Sequence, residues 1–340
     1  MKQRALRWMA GSVALIALTW GACGKEKTDP AVSLAAEAKN LFAAEKYADA
    51  EAKYATIAVD YPTSPLAKDA AKQRDLCRAK ELFLDARNLA REGRNDEAGQ
   101  KLADAVRLAP DDVEVNYGVG WVYMQLAIDH LTRAASTGGQ VQGDYVALAK
   151  AHAELAKGRF QRCLELNPKH WGGHRGMALY YIFNRQEDEA LKALAEADKY
   201  SVKDEDKVAV ARLRFQALAG EKKMEDAKKI VDEMLKNFPD RGDVYMSLAE
   251  YYLRAEPPNV AEATKALEVG VTKKFDDAGT KNQMYLMLSR LRLSQRDFDG
   301  ALTAAESALA QDPFNPMFTD QYTLCYEAKI TLGGANPPRP

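Results

Sequence analysis

Few residues in this chain have the types and spacing that chemistry at a site requires. His170 and His174 are four residues apart, a spacing that can place two imidazoles on one helix face for a metal ion. They follow Pro168 at a Gly-rich helix start, with no cysteine or carboxylate placed to complete a site, so we interpret them as a surface pair. His152 and Glu154 do not form the zinc-protease motif, because they are not adjacent and no second histidine follows at the required spacing.

The remaining motif candidates lack the context that catalysis or nucleotide binding requires. Residues 172–176 are Gly-Gly-His-Arg-Gly, but they follow no predicted strand, so we do not interpret them as a phosphate-binding loop. The sequence contains no Walker loop, no nucleophile elbow and no carboxylate pair that stands out from solvated charge. It therefore predicts no catalytic residue, no metal site and no enzymatic activity.

The first two dozen residues have the organisation of an export signal. Lys2, Arg4 and Arg7 form a basic start, and an apolar run from Trp8 to Trp20 follows. A charged start, an apolar stretch of about 7–15 residues and small residues at the cleavage point are typical of such signals. The run is shorter than the ~20 apolar residues that a membrane-spanning helix needs. We therefore expect this segment to direct export.

The end of this segment resembles the lipobox of bacterial lipoproteins. Gly21 and Ala22 are small, and Cys23 follows them directly. In that family the cysteine is lipidated and becomes the mature N-terminus. The resemblance implies a signal peptide over 1–22, a covalent lipid such as palmitate on Cys23 and a flexible tether over 23–30. No other cofactor is expected.

Two neighbours of the lipobox bear on processing and sorting. Trp20 stands where the family usually has an aliphatic residue, which leaves an ordinary secretory signal or an uncleaved anchor as alternatives. Gly24 follows the cysteine in place of Asp, which by resemblance favours sorting to the outer membrane. The expected location is the inner leaflet of the outer membrane, facing the periplasm.

Charge and cysteine content argue against a nucleic-acid-binding protein and against a fold held by disulfides. The net charge of the chain is −1, and removal of a signal with three basic and no acidic residues leaves −4. Such mild acidity with mixed signs provides no basic stripe for nucleic acid. Apart from Cys23 the chain has Cys77, Cys163 and Cys325, an odd number without close pairing, and we expect free thiols in the core.

A pattern of small and bulky residues ending in proline recurs about once every 34 residues. It occurs at Ala98, Leu102, Ala105 and Pro110, and again at Ala301, Ala305, Ala308 and Pro313. This pattern resembles the tetratricopeptide repeat (TPR), a helix–turn–helix unit. The resemblance implies an all-α TPR solenoid over 31–332, with about seven repeats and a capping helix over 316–332. The Pro-rich tail over 333–340 is expected to be disordered.

The third repeat departs most from this pattern. Its two halves fit the repeat, but about 24 additional residues lie between them. The extra residues are helix formers interrupted by a Ser-Thr-Gly-Gly turn at 136–139, so both helices are expected to be about three turns longer. The sequence thus predicts a helical hairpin extension over 128–148. It either projects as a binding arm or packs back on neighbouring helices.

In the TPR family the concave face of the solenoid is lined by the side of each first helix that points away from the core. The residues that the repeat alignment assigns to this partner-binding groove are Tyr117, Trp121, Met124, Gln125, Arg175, Leu179, Ile182, Phe183, Arg212, Met246 and Arg290. Large apolar side chains grouped on a helix surface usually mark an interaction site. The alternative is that they pack on the inserted hairpin or on the next superhelical turn.

Together these features predict a membrane-anchored periplasmic scaffold that binds other envelope proteins or their peptide segments during assembly of an envelope complex. A narrower alternative, by resemblance, is a pilotin-like factor for a secretin, a type IV pilus or a motility machine. An alternative from a different functional class is a solenoid that binds a small ligand, or a non-catalytic subunit of an enzyme.

Overall fold

The computed structural model describes residues 29–275, 278–313 and 315–332, and every helix or strand element there is an α-helix. The chain divides into two compact units, residues 1–74 and 75–340, which we describe separately. None of the described helices combines the length and the apolarity that crossing a bilayer requires.

Fifteen helices occur in the described residues. They are α1 (Pro30–Ala43), α2 (Tyr47–Asp60), α3 (Ala67–Arg91), α4 (Asn95–Leu108), α5 (Val113–Ala135), α6 (Gly139–Leu166), α7 (Trp171–Phe183), α8 (Glu187–Tyr200), α9 (Asp204–Gly220), α10 (Met224–Asn237), α11 (Gly242–Arg254), α12 (Val260–Gly270), α13 (Ala278–Ser294), α14 (Phe298–Gln311) and α15 (Pro316–Leu332).

The first unit contains the helix pair of α1 and α2. Asp29 caps α1, because its side chain accepts a hydrogen bond from the Ala31 N–H at 2.9 Å. The Ser64 hydroxyl also donates to this carboxylate at 2.8 Å. Buried alanines, among them Ala38 and Ala50, line the helix pair and allow close packing.

The same turn geometry recurs in five helix pairs of the described chain. Each of these turns contains one residue with a positive φ, between 56° and 76°. These residues are Glu45, Gly93, Arg185, Lys222 and Arg296. The N–H that follows this residue donates to a carbonyl five residues earlier, as from Arg94 to Leu89 at 2.9 Å. This is the Schellman arrangement, which satisfies carbonyls left open at a helix C-terminus. The repetition shows that these pairs are copies of one unit.

In the second unit the helices form two layers. Within each pair the two helices pack on each other, and the first helices also contact one another in the order α5, α7, α9, α11, α13 and α15. We call the solvent side of α5, α7, α9, α11 and α13 the first-helix face. The six pairs from α3 to α14, the α1–α2 pair of the first unit and the single α15 confirm the prediction of an all-α solenoid with a terminal helix.

The α5–α6 hairpin is much longer than its neighbours. Its helices have 23 and 28 residues, against 13 and 14 in α7 and α8. The base of the hairpin packs on both sides. Asn95 of α4 donates to Asp129 at 3.0 Å, and the Lys157 ammonium lies 5.0 Å from the ring centre of Tyr180 on α7. Towards the tip, exposed side chains such as Val141 predominate.

One aromatic side chain fixes the contact of α5, α6 and α7. Phe160 of α6 is fully buried, and it faces a glycine on each neighbouring helix. A methyl group at Gly120 of α5 would lie 2.7 Å from the Phe160 ring, and one at Gly176 of α7 would overlap the ring even more. Glycine at both positions is therefore what allows the three helices to approach.

We expect Gly176→Ala to lower the free energy of unfolding by about 1–3 kcal/mol, because the added methyl overpacks the core against Phe160. Gly158→Ala is the matched control on α6, since nothing lies within 4 Å of its added methyl. That substitution should raise the free energy of unfolding by about 0.5–1 kcal/mol through the lower flexibility of alanine. Urea denaturation followed by circular dichroism measures both, and shifts of the same sign would contradict this packing.

Candidate interaction site

The structure places most of the predicted groove residues on consecutive first helices. Pairs four residues apart lie on the same side of their helix, as Tyr117 and Trp121 do on α5 and Arg175 and Leu179 on α7. Leu179, Ile182 and Phe183 are half-buried and pack against core clusters below the surface. Arg212 is half-buried on α9, while Gln125 and Arg290 are exposed.

Two predicted groove residues are core residues instead. Met124 has no exposed surface and belongs to the cluster that contains Met177 and Tyr180 of α7. Met246 is only 7% exposed and packs in the cluster of α11 to α14. The prediction was wrong for both, because the neighbouring first helix covers the side of the helix that sequence spacing left open.

The centre of the first-helix face is an arginine held between tryptophans. The Arg175 guanidinium lies 4.3 Å from the ring centre of Trp121 and 5.8 Å from that of Trp171. Such cation–π contacts contribute about 0.5–2 kcal/mol, more when they are shielded from water. The Arg175 Nε is buried and has no hydrogen-bond partner. Sequence analysis missed Trp171, although its i, i+4 spacing from Arg175 could have revealed it.

The charges along this face are not balanced. Burial lowers the pKa of Arg175, and the hydrogen bond with the Tyr117 hydroxyl opposes that shift. The smaller effects of Arg212 and Asp206 lower and raise this pKa, respectively. Burial raises the pKa of Glu250 on α11, while Arg212 and Arg254 oppose that shift. Among the described residues, no carboxylate lies within ion-pair distance of Arg175 or Arg212. The face therefore presents guanidinium groups beside aromatic rings.

At the far end of the same face lies a cleft of about 420 Å³ between α13 and α15. Its lining residues are Arg290, Met317, Asp320, Gln321 and Leu324. The Arg290 Nε donates to the side-chain Oε1 of Gln321 at 3.4 Å, and Met317 and Leu324 are each about half exposed. The cleft thus repeats the combination of one guanidinium with apolar side chains.

Comparisons with known proteins agree with this architecture. A family model for the tetratricopeptide repeat matches residues 286–319. The structure of a tetratricopeptide repeat protein from Parabacteroides merdae aligns with a TM-score of 0.58 and 14% identity, over 87% of this chain and 98% of that one. The fold is a TPR solenoid.

Two further structures have lower scores. PilF of Pseudomonas aeruginosa aligns with a TM-score of 0.41 and 12% identity, over 73% of this chain and 97% of its own. Yeast Tom70 aligns with a TM-score of 0.36 and 12% identity, over 88% and 96%. Neither score supports an argument about function, and no curated protein sequence matches the chain. TPR solenoids are typically non-catalytic scaffolds that bind other proteins or peptides.

One constellation in the TPR core resembles a cysteine-hydrolase triad. Cys163 Sγ lies 3.3 Å from His170 Nδ1, and His170 Nε2 lies 3.2 Å from Glu114 Oε1. However, the Gly173 N–H donates to His170 Nδ1 at 3.0 Å, so this nitrogen accepts and Nε2 carries the proton. Burial also raises the pKa of the Cys163 thiol to about 12. The nitrogen facing the thiol is therefore not a free base, and the imidazole serves as the N-cap of α7.

The histidine pair of the sequence analysis needs a correction. The His170 side chain is only 12% exposed, so it is not a surface residue. Its capping role buries it, whereas His174 is hydrogen-bonded to the Pro168 carbonyl at 2.9 Å. Within the described parts of the chain, no group of three or more histidine, cysteine or acidic side chains is arranged to hold a metal ion.

The lipidation prediction lies outside the described residues. Cys23, the signal peptide over 1–22 and the tail over 333–340 all belong to segments that the structure does not describe. Of the tether over 23–30, only the last two residues are described, and Pro30 is the first residue of α1.

The three remaining cysteines are buried and form no disulfide, as expected. We predict that Cys77, Cys163 and Cys325 do not react with iodoacetamide at pH 8 in the folded protein, because the reactive thiolate must be both exposed and populated. In a Cys23→Ser background, mass spectrometry should show no label before denaturation and three labels after it in urea. Rapid labelling of folded Cys163 would contradict the assignment of His170 as a capping residue.

Proposed function

We propose that this TPR protein is a lipid-anchored periplasmic scaffold that binds an acidic segment of another envelope protein along its first-helix face. One observation carries the proposal. Arg175 is held between Trp121 and Trp171 with a buried, unpartnered Nε, and no carboxylate of the described residues lies within ion-pair distance of Arg212 on the next helix.

The chemistry of this arrangement favours an anionic peptide. Arginine binds carboxylates bidentately, and stacking on Trp121 leaves the edges of the Arg175 guanidinium for such hydrogen bonds. Arg212 provides a second donor group on the next helix. Leu179 and Ile182 supply adjacent apolar surface, so acidic and apolar side chains of one extended segment would both find partners.

The envelope location rests on the N-terminal sequence. The basic start, the apolar run and the lipobox-like Gly21-Ala22-Cys23 support export and lipidation, and Gly24 supports the outer membrane. A pilotin-like role in secretin, pilus or motility assembly is a narrower form of the same proposal. The identity of a protein crosslinked to the first-helix face would distinguish that role.

Intrinsic fluorescence provides a direct assay of the site. The chain has four tryptophans, and Trp8 and Trp20 fall in the signal peptide, so the mature protein reports only on Trp121 and Trp171. We expect acidic peptides with apolar residues to change this fluorescence at low salt and lysine-rich peptides of equal length to leave it unchanged. Because the contacts are charged, raising the salt concentration should weaken binding.

Arg175→Gln and Arg212→Gln should each weaken acidic-peptide binding about tenfold or more, since each removes a charge-assisted hydrogen bond. Trp121→Ala should weaken it by about 2 kcal/mol, as loss of an aromatic anchor does. Arg107→Gln is the matched control, because Arg107 is exposed on α4 and away from this face. Fluorescence anisotropy with a labelled peptide measures all four, and equal affinities for wild type and Arg175→Gln would refute the site.

For the anchor, we expect the precursor with Cys23→Ser to remain uncut by the lipoprotein peptidase, because the lipid-bearing cysteine is absent. The wild-type protein should fractionate with outer membranes, since multiple acyl chains hold a protein stably. Membrane flotation and N-terminal mass spectrometry check both points. A soluble mature form that starts at a residue other than 23 would contradict lipidation.

A further inference from the structure

Four aromatic rings form a continuous stack between the two helices of the α5–α6 hairpin. They alternate between the helices in the order Tyr123, His152, His130 and Tyr145. The centroids of the two imidazoles are 5.1 Å apart, with their planes 10° from parallel, and each tyrosine ring centre lies 5.9 Å from the adjacent histidine. We call these four residues the ring ladder.

Three of the four ring nitrogens of the ladder histidines are buried without a hydrogen-bond partner. His130 is only 5% exposed, and both of its ring nitrogens are buried without a partner, as is His152 Nδ1. Neutral imidazoles tolerate this environment better than charged ones, because an ion loses more hydration on burial. The closed stack is therefore most stable when both imidazoles are neutral.

Charged groups face the ladder from each element that packs on it. On α5, Asp129 and Arg133 are paired with each other at 2.9 Å, so their charges largely cancel. On α4, Asp96 is the nearby acid that acts on both histidines. On α6, the remaining charge near the stack is Arg159, which faces Tyr123. Two acids thus face the imidazoles, but Asp129 is already paired with Arg133, so Asp96 is the one counter-charge among the described residues that two protons would share.

We infer that the ring ladder makes the projecting hairpin an acid-sensitive element, which is closed while both imidazoles are neutral and loosens when both are protonated. Two imidazolium rings stacked at 5.1 Å would repel each other in a poorly hydrated interface. Separation of α5 from α6 beyond Ala127, the last α5 residue in the core cluster around Phe160, relieves that repulsion and hydrates both rings. This property is independent of the proposed peptide site.

The pH range follows from the sign of the pKa shifts. Burial lowers the pKa of His130, and burial together with the neighbouring His130 lowers that of His152. The opened hairpin has ordinary histidines that titrate at about 6.5. Below that pH the open state binds more protons than the closed state, so closure is fully favoured above about pH 6.5 and weakens as the pH falls through the folded-state values.

Hydrogen exchange of the full mature chain tests the inference. After correction for intrinsic exchange, the protection of residues 128–134 and 145–153 should fall about tenfold per pH unit for each imidazole that titrates below pH 6.5. Residues 204–237 of α9 and α10 contain no histidine and serve as the internal reference. Equal pH dependence in the hairpin and in this reference would overturn the inference.

Variants separate the ladder from other acid effects. A double variant with His130→Phe and His152→Phe keeps four stacked rings but has no titrating imidazole among them. Below pH 6.5 the protection of its hairpin should therefore change with pH no more than the protection of residues 204–237 does. If that variant does not fold, His152→Phe alone should halve the slope. His174→Phe lies outside the ladder and should keep the wild-type response. Retention of the full response after His152→Phe, or imidazole NMR signals of His130 and His152 that titrate at or above pH 6.5, would disprove the inference.

Discussion

The contact of Phe160 with Gly120 and Gly176 determines how three helices of the second unit approach one another. This ring enters the space that side chains would otherwise occupy, so α5, α6 and α7 pack closely around it. Trp121 follows Gly120 directly, and Arg175 precedes Gly176. The guanidinium therefore meets the indole because the adjacent residues are glycines that bring α5 and α7 together. A larger residue at either glycine would separate the two members of the cation–π pair.

Much of the fold could be predicted from the sequence because the repeat pattern reports local physics. Small residues at helix crossings and prolines after second helices recur along the chain, and the left-handed turns occur between the predicted helices. The long α5 and α6 were evident from helix formers on both sides of a glycine turn. None of these features depends on contacts between distant residues.

The candidate site was less predictable because it depends on packing between repeats. Met124 and Met246 have the spacing of groove residues, but the next first helix covers them. His170 looked exposed beside Pro168, yet it caps α7 and contacts Cys163 from the preceding helix. The ring ladder follows a seven-residue spacing on both helices of the hairpin, but its register depends on where the turn begins and ends.

The first-helix face and the ring ladder share one helix but remain mechanically separable. Trp121 and His130 of α5 are nine residues apart, about 13 Å along the axis at 1.5 Å per residue. Between Gly120 and Tyr123 the helix is held by Phe160 and by the core around it, which contains no titrating histidine. Loosening of the hairpin would therefore stop near Ala127, because continuing further requires exposing Leu126, Met124 and the apolar core around Phe160. The base of the hairpin then keeps Trp121 against Arg175, while the arm beyond it changes with pH.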